Sequence, residues 1–259
     1  MPPIALTIAG SDPSGGAGIQ ADLKVFHQLK VYGTSAITLI TVQNTKRVSK
    51  VEFLTAELVG EQIDAVLEDL PPNAAKSGAL GTAAIIEAIA SRALGCPLIV
   101  DPVMLSTQGP ALMGPSALDA LRNKLLPKAT LLTPNLHEAS VLAGITIETP
   151  EQMKEAAKRI RDLGVPSILV KGGHLNGHPL DILLHNGVFT EFPSVRVNTK
   201  HTHGTGCTYS AAITAFIARG LTIPDAVDRA KRYIHEAIAT APGLGGGAGP
   251  LNHWADSLG

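Results

Sequence analysis

Short apolar runs alternate with amphipathic stretches along most of this 259-residue chain, and no other feature limits its fold so tightly. Ile4 to Ala9 is an apolar run closed by a glycine-rich loop, Gly10 to Gly18, after which Ile19, Leu23, Phe26 and Leu29 recur at helical spacing. A second run, Ala36 to Val42, ends at Gln43-Asn44-Thr45, and a helix bearing Leu58, Ile63, Val66, Leu67 and Leu70 follows. The same reading predicts strands near 73–77, 97–101, 129–133 and 167–171, with helices near 82–94, 116–125, 135–143 and 151–163. This is the pattern of an α/β fold, a mostly parallel central sheet with helices on both faces and ligands at the carboxyl ends of its strands. After Lys171 the pattern changes. Asp181 to Leu184 and Val188 to Phe192 flank His185-Asn186-Gly187, and Asn-Gly predicts an antiparallel hairpin at one edge of the sheet. Helices near 206–219 and 224–240 precede a glycine-rich tail, Gly243 to Gly249, expected to loop over the surface. With no internal repeat and no long linker, residues 1–259 read as one domain.

The composition, 45% hydrophobic but only 3% aromatic, suits helices of small aliphatic residues packed on a parallel sheet. A net charge of −1, from 21 basic and 22 acidic residues, gives no broad field to attract nucleic acid or an anionic membrane, so the expected partners are small molecules. Cys96 and Cys207 form neither a disulfide framework nor a CxxC metal motif, and no apolar run is long enough to span a bilayer. A cytoplasmic protein is expected.

Thr202-His203-Gly204-Thr205-Gly206-Cys207-Thr208 stands immediately before the apolar run Ala211 to Ala218. Two glycines permit a sharp turn, and a helix beginning there points its N–H groups back into it, which makes a cradle for phosphate or a developing oxyanion. The same partial positive charge is expected to lower the pKa of Cys207 in the first turn, although a lone thiol also reads as a small buried hydrophobe. The other glycine loop, Gly15-Gly16-Ala17-Gly18, fails both common nucleotide templates. The chain has no Gly-Lys pair for a P-loop, and no acidic residue lies between Asp22 and Glu52 to hold a ribose. That loop is therefore free to line a substrate pocket.

Charged and polar residues recur where strands end. Asp22, one turn into the first helix, reads either as a solvated helix carboxylate or as a pocket residue. Gln43 closes the second strand, where an amide offers both a donor and an acceptor to a heterocycle, or caps a turn. Leu98-Ile99-Val100 runs into Asp101, and Leu131-Leu132-Thr133-Pro134 into Asn135 and Glu138. Hard oxygen donors at neighbouring strand ends suit a water-rich Mg²⁺ site, while Asn135 and Glu138 also fit a helix capping box. Lys171 places an ammonium after Ile168-Leu169-Val170. His201 and His203 lack partners at zinc spacing and read as polar loop residues. Together these groups describe a phosphotransferase, in which Cys207 takes the proton from a substrate hydroxyl as its oxygen attacks the γ-phosphorus of ATP.

The segments Thr7 to Asp22, Gln43-Asn44-Thr45, Asp101-Pro102-Val103-Met104, Thr133-Pro134-Asn135, Val170 to His174 and Thr202 to Cys207 resemble the ribokinase-like superfamily. Within it the chain is similar to the bacterial hydroxymethylpyrimidine/phosphomethylpyrimidine kinases of the thiamin pathway. The resemblance implies MgATP-dependent phosphorylation of 4-amino-5-hydroxymethyl-2-methylpyrimidine and then of its monophosphate. It implies that Cys207 stands where sugar kinases carry an aspartate base, with Gly204, Thr205, Gly206 and Cys207 forming the anion hole. It also implies that Gln43 and Asp22 bind the aminopyrimidine with Gly10 close by, that Lys171 faces the phosphates, that Asp101 and Glu138 organise Mg²⁺, and that the chain forms a homodimer.

One departure bears on the substrate. Ala79 stands where that family commonly carries methionine, which enlarges the expected pyrimidine pocket. Pyridoxal or pyridoxine kinase is accordingly the nearest alternative, and a pyrimidine sensor without catalysis is the alternative from another class. Redox or acyl-transfer chemistry at Cys207 has neither a resolving cysteine nor a convincing base. Glycines at 172, 173 and 177 would let 172–180 close as a lid.

Overall fold

Among the described residues nine strands form one sheet in the order β3-β2-β1-β4-β5-β6-β7-β8-β9. The computed structural model describes residues 1–105, 112–173, 175 and 178–256. The parallel centre is β1 (Ile4–Ser11), β2 (Tyr32–Asn44), β4 (Ala74–Ser77), β5 (Leu98–Val100), β6 (Leu131–Leu132) and β7 (Ser167–Val170). The expected hairpin at 185–187 is present, with β8 (Leu180–His185) and β9 (Val188–Pro193) antiparallel at one edge.

The other edge differs from the sequence reading. β2 runs on to Asn44 and turns through Thr45 and Lys46 into antiparallel β3 (Arg47–Phe53), where a helix was expected to follow directly. The turn carries neither glycine nor proline, and the register shifts between Val42 and Gln43, which interrupts the alternation that would have marked the hairpin.

Side-chain alternation on the strands sorts the apolar residues into two cores. Leu6, Ile8, Leu98, Val100, Ile168 and Val170 face one layer, built from α2 (Ala56–Asp69), α3 (Ala83–Ala90), α4 (Pro115–Ala120), α5 (Leu136–Ala143) and α6 (Pro150–Arg161). Ala5, Ile99, Leu131, Leu169 and Leu183 face the other, built from α1 (Gly18–Gln28), α7 (Thr205–Ala218) and α8 (Ile223–Ala239). α7 lies across the sheet with every residue from Thr208 to Phe216 buried, so its amino end is fixed over the strand ends.

The glycine-rich tail loops over the surface as expected from Gly243 to Gly246, which are exposed. Its far end folds back on the molecule: Gly247 N donates to Thr45 Oγ1 at 3.3 Å, His203 N donates to the Gly249 carbonyl at 3.2 Å, and Leu251, His253 and Ala255 are buried.

Candidate active site

The carboxyl ends of the parallel strands and the amino end of α7 enclose a cavity of about 790 Å³. Gly10, Gln43, Ala79, Asp101, Glu138, Lys171 and Gly204 to Cys207 all line it. The two glycine loops meet at its floor. Gly204 has φ 81°, a conformation that favours glycine, and a Cβ there would run into the Gly16 carbonyl. A Cβ on Gly206 would lie 3.4 Å from Lys171 Nζ and 3.7 Å from Asp101 Oδ2, so the first turn of α7 faces a cation and a carboxylate. Among the described residues no side chain caps this helix, which leaves its amino end to the cavity.

Lys171 Nζ donates to Asp101 Oδ1 at 3.0 Å, while Ser210 Oγ from α7 donates to Oδ2 at 3.1 Å. Burial opposes the Lys171 ammonium, but Asp101 and Glu138 outweigh it and hold the group above its ordinary pKa. Asn135 caps α5 and completes a capping box with Glu138, whose Oε2 accepts from Asn135 N at 2.8 Å. Burial pushes the Glu138 carboxyl up to about 7, against the pull of Lys171. The cap and the site are the same residues: the helix end that needs an acceptor also brings a carboxyl to the cavity wall.

Cys207 corrects an expectation. Its thiol is pushed up to about 11 by burial, which outweighs the opposing charge of Lys76 and the Gly18 N–H, where the helix terminus was expected to lower it. Asp22 is a second correction. It does not line the cavity but lies beneath it, fully buried, with Lys76 Nζ at 3.0 and 2.9 Å from its two oxygens and Thr7 Oγ1 at 2.6 Å from Oδ2. Although burial opposes the Lys76 ammonium, Asp22 holds it above its ordinary pKa, and the pair places a fixed cation below Cys207.

Sequence reasoning passed over three residues here. Asp12 follows β1 just as Asp101 follows β5, and it lines the cavity with His203, whose Nε2 lies 2.8 Å from Asp12 Oδ2. Burial opposes the Asp12 charge, but hydrogen bonds from His203 and Ser14 hold its carboxyl below the usual value. His203 is thus a buried member of the site and not simply a polar loop residue. Lys76 is the third, within β4. His174, Asn176 and Gly177 of the expected lid lie outside the described residues.

The sequence profile of phosphomethylpyrimidine kinase matches residues 12–252. The chain belongs to the phosphomethylpyrimidine kinase family. It is 48% identical over 260 residues to the hydroxymethylpyrimidine/phosphomethylpyrimidine kinase of Rhizobium meliloti (strain 1021), covering 98% of each chain. It is 45% identical over 252 residues to the thiamine biosynthesis bifunctional protein ThiED of Geobacter sulfurreducens, covering 96% of this chain and 51% of that one. The pyridoxal kinase from Staphylococcus aureus, solved with AMP-PCP and pyridoxal, superposes with a TM-score of 0.90 at 35% identity, covering 98% of this chain and 94% of that one. As a family member the chain is a phosphotransferase of ribokinase-like fold.

A kinase of this kind needs its phosphate charge neutralised, and the donor set suits magnesium in a particular way. Among the described residues no three His, Cys, Asp or Glu side chains converge, and both Asp101 oxygens already accept hydrogen bonds. Such a pair of carboxyls fits an ion that keeps most of its waters and takes its remaining oxygens from phosphate.

Proposed function

We propose that this kinase transfers the γ-phosphoryl group of ATP to the hydroxymethyl oxygen of 4-amino-5-hydroxymethyl-2-methylpyrimidine, and then to the resulting monophosphate, supplying thiamin biosynthesis in the cytoplasm. The observation that carries the proposal is the shared cavity: a ring-reading amide, Gln43, on one side of the α7 amino end, and the Lys171–Asp101 pair on the other. Beyond Lys171 the cavity continues to Val195, Val197, Ile234 and Ile238, an apolar lip suited to a purine.

In the first step the hydroxymethyl oxygen gives its proton to the thiolate form of Cys207 and bonds to the γ-phosphorus as the bond to the β–γ bridging oxygen breaks, releasing ADP. Gly204 to Cys207 present backbone N–H groups to the oxygens of the moving phosphoryl group, and Lys171 neutralises them from the side. Asp101 and Glu138 would hold magnesium, which would supply charge neutralisation to the triphosphate. In the second step the attacking oxygen belongs to a phosphate that is already ionised, so Cys207 has no proton to remove.

A second substrate class has one observation in its favour. Ala79 lines the cavity with only a methyl group, its carbonyl tied to Thr38 Oγ1 at 2.6 Å, which leaves room for a more substituted pyridine such as pyridoxine. Comparing kcat/KM for the hydroxymethylpyrimidine and for pyridoxine, in wild type and Ala79→Met, tests both readings. The pyrimidine is expected to lead, with methionine suppressing the pyridoxine rate; pyridoxine leading in wild type would replace the pyrimidine assignment. The expected homodimer has a candidate surface where Ile40, Val42 and Phe53 of the β2–β3 edge remain exposed, and Val42→Lys should shift the sedimentation of a dimer toward monomer.

A further inference from the structure

Gln43 and its neighbours pose a question of proton counting. Gln43 Oε1 stands 3.2 Å from Thr41 Oγ1, and Nε2 stands 3.2 Å from His203 Nε2. Thr41 has one hydroxyl proton, and the Ser11 carbonyl, at 2.9 Å, accepts it. His203 Nε2 lies 2.8 Å from Asp12 Oδ2, and that carboxylate also accepts from Ser14 N, Ser14 Oγ and Ala17 N. A carboxylate only accepts, so His203 Nε2 carries its proton toward Asp12 and has no lone pair for an amide N–H. Thr41, having given its proton away, accepts from the amide and cannot donate to it. Both constraints are met only when the Gln43 amide is turned by half a rotation, its oxygen toward His203 and its nitrogen toward Thr41.

We propose that Asp12 and His203, together with Thr41, lock the Gln43 amide in this sense and so act as positioning residues that set which way round an aminopyrimidine lies beside Cys207. The inference rests on the aminopyrimidine reading of the cavity. The locked amide keeps one N–H on the Thr41 side and one oxygen lone pair on the His203 side. A 4-aminopyrimidine edge pairs with these through N3, which accepts, and through the 4-amino group, which donates. Around that ring N3, the 4-amino group and the 5-hydroxymethyl group come in order, so an amine on the His203 side carries the hydroxymethyl group further the same way. His203 opens the loop that continues through Gly204 to Cys207, so this sense delivers the hydroxyl to the thiol. The opposite amide sense would turn the hydroxyl away from it.

The lock has a signature that simple support of the loop would lack, because it sets a ratio of affinities. The 4-oxo analogue reverses the edge, with N3–H a donor and O4 an acceptor, and the locked amide rejects it. Calorimetric binding without nucleotide is expected to favour the 4-amino over the 4-oxo compound by at least ~10²-fold in wild type, since a mismatched buried donor is left unpaired. In the double variant His203→Phe/Thr41→Val, where neither neighbour constrains the amide and it turns freely, the ratio should fall below about tenfold; a ratio unchanged in that variant overturns the lock. Neutron diffraction from the deuterium-exchanged wild-type protein reads the amide directly and needs no variant. Deuterons on the Gln43 atom facing Thr41 support the lock, and deuterons on the atom facing His203 overturn it. If they face Thr41 but wild type prefers neither pyrimidine, the substrate reading and the positioning role built on it fall, while the amide assignment stands.

Discussion

The two phosphorylations should respond differently to the loss of one proton acceptor. The Cys207 thiol is held up at about 11, so raising the pH from 8 to 10 increases the thiolate fraction about tenfold per unit. Glu138, pushed up to about 7, is already ionised across that range and adds no slope of its own. For the hydroxymethylpyrimidine, whose alcohol must lose its proton, log kcat/KM should therefore climb with a slope near one, about a hundredfold in all. For the monophosphate, whose attacking oxygen carries no proton, the profile should stay flat. Cys207→Ala removes the acceptor and should cost the first step about 10² to 10⁴ while costing the second less than about tenfold. Cys207→Ser keeps the shape with a group that does not ionise in this range, and should abolish the slope. The assay is initial-rate ADP release with each pyrimidine as the varied substrate, with product identified by mass. A flat wild-type profile for the alcohol, or equal losses in both steps for Cys207→Ala, would refute the base role.

Three further outcomes follow from the geometry. Gly204→Ala should lower kcat/KM by about 10² or more, because the added Cβ runs into the Gly16 carbonyl and the backbone must leave its φ of 81°; steady-state kinetics beside a thermal melt separates lost cradle from lost fold. Glu138→Gln keeps an acceptor for the Asn135 N–H and so should leave the melting temperature nearly unchanged, while weakening the apparent Mg²⁺ affinity about tenfold in a metal titration of activity. Burial holds His253 down at about 4 from an ordinary 6.5, so the unfolded chain binds a proton there that the folded protein does not. Stability should fall as pH drops through that window, by up to about 3 kcal/mol, and His253→Gln should remove this component from urea midpoints compared at pH values near 7 and 4.5.

Most of the architecture could be read from local pattern, because strands such as Leu98–Val100 and Ser167–Val170 are short, wholly buried and followed by polar residues at the cavity. The features that escaped depend on long-range pairing. Asp22 reads as an ordinary helix carboxylate because its partner, Lys76, is 54 residues away, and only the sheet order brings β4 beside β1. His203 reads as a loop residue because Asp12, 191 residues away, and the returning Gly249–Pro250 segment bury it. Asp12 was within reach, since it follows a parallel strand just as Asp101 and Lys171 do, whereas Lys76 lies within β4 and was not marked in this way. β3 was concealed by a turn without glycine. The thiol of Cys207 shows where a local rule yields to its surroundings: a helix terminus favours the anion, but desolvation by the residues around it weighs more.

The central claim is that one cavity passes the γ-phosphoryl group of ATP to a hydroxymethyl aminopyrimidine and then to its monophosphate. A single-turnover reaction with γ-labelled MgATP, excess enzyme and the hydroxymethylpyrimidine tests it most directly. The account predicts label first in the pyrimidine monophosphate and, when ATP is resupplied, in the diphosphate. Label that remains in ATP or passes only to water while the pyrimidine is bound would contradict it.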